Sequence, residues 1–93
     1  MANYKLNDSA HLADEVQRAL HKKARSHYPD VKNLGVKQGP FYVLVGASMP
    51  SILVETAFLS NATEEARLND PAFQILAAEG IFDGVRSYVI SLK

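Results

Sequence analysis

The eight residues Ile52-Leu53-Val54-Glu55-Thr56-Ala57-Phe58-Leu59 constrain this chain more than any other stretch. Alternate side chains of an extended segment point to opposite faces. Leu53, Glu55, Ala57 and Leu59 therefore share one face, and Ile52, Val54, Thr56 and Phe58 the other. The first half is apolar on both faces, which is the pattern of a strand covered on both sides in a parallel α/β sheet. Ahead of it, Phe41-Tyr42-Val43-Leu44-Val45 is rich in aromatic and β-branched residues and is closed by Gly46. That run predicts another strand, with the turn at Ser48-Met49-Pro50-Ser51 between the two.

The flanks follow a helical period instead. Leu12, Val16, Leu20 and Ala24 recur every four residues with Ala13 beside them. They predict a helix that begins near Ala10 and is capped by Asp8 or Ser9. Lys22, Lys23 and Arg25 gather late in it, as the helix dipole favours, and Pro29 stops it. Residues 30–40 read as a loop. Thr63, Glu64 and Glu65 begin a short helix that ends near Asn69. Asp70-Pro71 then starts a long one, an N-cap followed by proline at the first helical position. Its apolar stripe is Phe73, Leu76, Ala77, Ile81, Val85, Tyr88 and Leu92, and Gly80 and Gly84 mark close packing against a neighbour. The order helix, strand, strand, short helix, long helix predicts a single α/β unit. Two strands alone make a poor sheet, so the chain reads as part of a larger one.

Composition narrows the function. At 93 residues the chain has room for one small domain. Its formal net charge of zero offers no basic surplus for phosphates, so no nucleic-acid partner is expected. The lack of cysteine removes disulfides, zinc fingers and thiol chemistry. No apolar run approaches a membrane span, and the first residues do not begin a signal peptide. Work outside the cytoplasm would need a signal on a segment not present here.

Glu55 is the residue with chemistry in it. A carboxylate within so apolar a run must be paired, protonated or placed at the mouth of a site, because burying it alone is expensive. Apolar surroundings favour the protonated form and so suit general acid–base work. Strand ends in α/β sheets are also where ligand sites gather. The structural alternative is a glutamate bonded to a nearby lysine or backbone amide. His11 and Glu15 stand four apart and could face one metal, but two ligands are too few, and a solvated pair is expected. His21 and His27 do not share a helix face. There is no His-Glu-x-x-His pattern, phosphate-cradling glycine loop or nucleophile elbow.

Several motifs in order carry a resemblance. Gly35-Val36-Lys37, Phe41-Tyr42-Val43-Leu44 and Met49-Pro50-Ser51-Ile52-Leu53-Val54-Glu55-Thr56-Ala57-Phe58-Leu59-Ser60-Asn61 resemble the C-terminal half of the zinc-dependent N-acetylmuramoyl-L-alanine amidases of bacteria. Ser9-Ala10-His11-Leu12-Ala13, Glu65-Ala66-Arg67-Leu68 and Pro71-Ala72-Phe73-Gln74 resemble that family's flanking helices. The resemblance runs from about Ser9 to Tyr88 and reads residues 1–93 as the C-terminal portion of an amidase catalytic domain. It implies a three-layer α/β/α fold with a mostly parallel sheet, of which this chain would hold a partial unit. It also implies a peptidoglycan substrate, cut between N-acetylmuramic acid and L-alanine of the stem peptide, and a periplasmic or cell-wall location. Such enzymes act in wall turnover and autolysis.

The resemblance assigns the catalytic glutamate to Glu55. It implies zinc as the cofactor of the complete domain, whose ligands lie in upstream motifs that this sequence lacks. Leu34 stands where many members have arginine, and Ala57 where glycine is common. The expectation is a chain that supplies the glutamate, holds no metal ligands and is inactive alone. Two other readings stay open: a non-catalytic peptidoglycan- or protein-interaction module, and a homo-oligomer or complementary chain that completes the sheet.

Overall fold

The computed structural model describes residues 2–33, 35–37, 44, 46–55 and 61–93. Among them are three helices: α1 at Ala2–Arg25, α2 at Ala62–Leu68 and α3 at Pro71–Ser91. The expected α/β unit is overturned, because the described residues contain helices and no strand. Residues 52–55 carry no regular secondary structure. The run 41–45, apart from Leu44, and residues 56–59 lie outside the described residues, as do Leu34 and Ala57.

The physical reason is that a strand is a pairing. β-propensity describes how well a side chain fits a pleated, half-covered surface, and it gives no ladder by itself. Residues 52–55 find no ladder partner among the described residues. The neighbouring amide of Ser51 donates instead to Ser9 Oγ on α1, at 3.0 Å.

α1 begins at Ala2, earlier than the expected start near Ala10. Asp8 and Ser9 are therefore internal to the helix and do not cap it, which leaves the Ser9 hydroxyl to receive the Ser51 amide. The helix ends at Arg25, with the amides of His27 and Tyr28 both folded back to the carbonyl of Ala24. Both later helices start as their residues dictate. Asn61 accepts from the Glu64 amide at 3.1 Å. Asp70 accepts from the Ala72 amide at 3.0 Å, with Pro71 at the first position.

α1 and α3 pack antiparallel, since the contacts of α1 ascend as those of α3 descend. His11 meets Tyr88 edge to face at 5.0 Å between ring centroids, Val16 meets Gly84, and Leu20 meets Gly80. The two glycines decide this approach. A Cβ on Gly80 would stand 2.9 Å from Leu20 Cα, and one on Gly84 only 2.4 Å from Val16 Cα. Such distances bring backbone onto backbone, which any larger residue forbids. Lys23 Nζ to Glu79 Oε2 at 3.2 Å ties the other end of the pair.

Among the described residues the buried apolar ones are Val16, Phe73, Leu76, Ala77 and Tyr88, with Val16 only 1% exposed. Of the stripe read for α3, Phe73, Leu76, Ala77 and Tyr88 are buried beside both glycines. Ile81 is half-buried, whereas Val85 and Leu92 are exposed. This helix is apolar nearly all the way round, the pattern of a helix with more than one covered face.

A candidate active-site face around Glu55

On the side of α1 turned towards residues 51–55 lies a concave face of about 1160 Å³. Ala13, Val16, Leu20 and Ala24 of α1 form its floor with Phe73 and Leu76 of α3, and Ile52, Val54 and Glu55 line the opposite wall. This exceeds the roughly 300–1,000 Å³ of a small-molecule pocket.

Local bonds set the wall. The Ser51 amide is held by Ser9 Oγ, and burial then alternates: Ile52 and Val54 are half-buried, Leu53 and Glu55 exposed. Glu55 thus shares its side with Leu53. Among the described residues it makes no hydrogen bond and no ion pair, so the structural glutamate bonded to a lysine or amide is not what is seen.

The opposite rim is an interlocked cluster. Arg67 Nη2 donates to both Asp30 oxygens at 2.8 Å. Its guanidinium lies 4.5 Å from the centre of the Tyr28 ring, and Tyr28 meets Phe73 edge to face at 5.7 Å. The hydrogen bonds from Arg67 hold the Asp30 carboxyl below its ordinary value of 3.8. Nearby, Asn33 Oδ1 accepts from Gln17 Nε2 of α1 at 2.8 Å and from the Gly35 amide at 2.9 Å. Gly35 itself has a positive φ of 81°, which a side chain would strain.

Two contributors to this face escaped sequence reasoning. Arg67 and Asp30 lie 37 residues apart, and nothing in local spacing joins them. His21 borders the same space, with its ring Nδ1 buried and unbonded. Its place one residue beyond Leu20 on the α1 stripe was the available signal.

The described residues do not fit a zinc site. No three His, Cys, Asp or Glu side chains among them converge. His11 Nε2 and Glu15 Oε1 stand 3.8 Å apart, but that pair is the solvated i,i+4 contact, shared with Arg18 and with Ser91 Oγ. Nor is any described helix long and apolar enough to cross a membrane.

Comparison with known proteins places these residues. The family described as N-acetylmuramoyl-L-alanine amidase matches residues 1–87. N-acetylmuramoyl-L-alanine amidase LytC of Bacillus subtilis (strain 168) is 36% identical over 85 residues, covering 91% of this chain and 16% of that protein. AmiC of Escherichia coli O6:H1, of the same activity name, is 49% identical over 53 residues, covering 57% of this chain and 13% of its own length. The probable cell wall amidase LytH of Staphylococcus epidermidis is 31% identical over 80 residues, covering 86% of this chain and 26% of that protein. The chain therefore spans about a quarter or less of the length of these relatives. No solved structure matches it.

Proposed function

This chain belongs to the N-acetylmuramoyl-L-alanine amidase family, and on that premise we propose that it is part of a peptidoglycan hydrolase of the cell wall or periplasm in which Glu55 moves the proton. The bond cut joins N-acetylmuramic acid to L-alanine of the stem peptide. The observation that carries this reading is an unpaired carboxylate at the mouth of a wide, apolar-floored face, inside the stretch matched to the family.

The chemistry assigned to this chain is limited to its own residues. A water oxygen attacks the scissile carbonyl carbon while Glu55 takes a proton from that water. The carboxyl then gives the proton to the departing amine nitrogen as the carbon–nitrogen bond breaks. A positioned acid–base group of this kind is typically worth about 10²–10⁴ in rate. The zinc that the resemblance implies finds no fitting ligands among the described residues, so no step runs through it. The reading proposed for the 93-residue chain by itself is that it is inactive.

The test exchanges this chain for the aligned 85-residue segment of LytC and follows dye release from labelled peptidoglycan. Release by the chimera, falling about 10²–10⁴-fold in Glu55→Gln, is expected. Equal rates with glutamate and glutamine would remove Glu55 from the chemistry. Release by the isolated chain with added zinc would overturn its inactivity.

The breadth of the concave face also supports a second reading, a module that binds peptidoglycan without cutting it. Retention of the isolated chain on purified sacculi, with no dye released, is its signature, and passage through unbound would sink it.

A further inference from the structure

Half a revolution away from its glycine face, α3 carries another pattern. Ile75, Ala78, Phe82, Val85, Val89 and Leu92 follow at spacings of three, four, three, four and three. That is the a and d spacing of a coiled-coil seam. The large members are open to solvent, with Ile75 61%, Phe82 64% and Val89 48% exposed. A soluble monomer rarely leaves a contiguous apolar surface of this kind uncovered.

The flanking charges say which occupant fits. Glu79 and Arg86 take the two e positions in the middle of the seam, one acidic and one basic, with Ala72 and Lys93 at the e positions of its ends, while the g positions hold the uncharged Gln74, Ile81 and Tyr88. Among the described residues Arg86 makes no ion pair, and Glu79 is 53% exposed even with Lys23 against it. Parallel pairing sets e against g and would leave both charges unmatched. Antiparallel pairing of identical helices sets e against e, so Glu79 of each copy meets Arg86 of the other, once on each side of a two-fold axis.

We propose that the occupant is a second copy of this chain, its α3 antiparallel to the first. In the register that puts Phe82 against Val85 of the second copy, Ala78 lies against Val89 and Ile75 against Leu92. Glu79 and Arg86 of the other copy are then about 3 Å apart along the axis at 1.5 Å per residue. Symmetry repeats each contact, and the two-fold arrangement uses the seam of both copies.

Sedimentation equilibrium on the 93-residue chain tests this. The expected result is a dimer for the parent chain and a monomer for Phe82→Glu, with unchanged helical circular dichroism because Phe82 is exposed. Arg86→Glu alone is expected to raise the dimer dissociation constant about tenfold or more by setting like charges together. Adding Glu79→Arg to it should recover the affinity by reversing both pairs. A monomeric parent chain, or a dimer that survives Phe82→Glu, would overturn the proposal. Failure of the double reversal to recover would overturn the antiparallel arrangement.

Discussion

α1 has two working sides, and they are built on opposite terms. Towards α3 it is pressed so close that two glycines are needed to admit its backbone. Towards residues 51–55 it stands back from a space of about 1160 Å³, crossed by the Ser9–Ser51 hydrogen bond and rimmed by Glu55. The first side is an exercise in close packing, where stability depends on shape. The second holds an exposed carboxylate that makes no hydrogen bond or ion pair among the described residues. The helix pairing rests on one side of α1, then, and the face proposed for chemistry lies on the other.

The sharpest way to break that division is at Glu55. Glu55→Gln in the LytC chimera should remove about 10²–10⁴ of the rate. In the isolated chain the same change should leave the unfolding midpoint in denaturant within about 0.5 kcal/mol, as for an exposed surface position. A large loss of stability would mean the carboxylate also holds the fold.

Gly84→Ala should do the reverse. Alanine gains roughly 1 kcal/mol of helix propensity over glycine. The added Cβ, however, falls 2.4 Å from Val16 Cα and 2.9 Å from the Glu15 carbonyl oxygen, and neither is a side chain that can swing aside. Overpacking of this sort costs about 1–3 kcal/mol, occasionally more, so a net loss is expected in a urea melt. A stabilised variant would show that the helices separate freely.

A smaller effect, about 1 kcal/mol, is expected for Asp70→Ala, which removes the cap of α3 without touching either side of α1. Least of all is the effect of acid on the rim. The Asp30 carboxyl titrates below 3.8 when folded because Arg67 donates to it. Its contribution is therefore complete above that value and is lost as pH falls through the lower folded value. Acid melts of the parent chain and Asp30→Asn should differ slightly near neutrality, begin to converge near pH 3.8 and meet only below the lower folded value. A gap that widens in acid would reverse the assignment.

The same division explains what could be read from the residues. Helix packing writes itself into sequence as period, capping and small residues, so Asp70-Pro71, the α1 stripe and the close approach at Gly80 and Gly84 were legible. The far face of α3 was misread in part, because Val85 and Leu92 are as apolar as the buried members and lie round the helix from them. The expected strands failed for a different reason. Apolar composition at residues 52–55 predicts cover on both faces, yet Leu53 is 49% exposed, and a ladder depends on a partner that composition does not name. Glu55 was legible as a carboxylate out of keeping with its neighbours. Arg67, Asp30 and His21 were not, since their company is set by how α1, α2 and the intervening loop meet in space.

The pairing of Val16 with Gly84 and of Ser9 with Ser51 has a consequence for how such a chain can change over generations. Both contacts hang on the same helix, seven residues apart. Inserting or deleting one residue between them would rotate one contact by about 100° and slide it by about 1.5 Å relative to the other. Either the glycine seat or the anchor of the Glu55 segment would then be lost. Insertions and deletions should therefore be purged from residues 9–16.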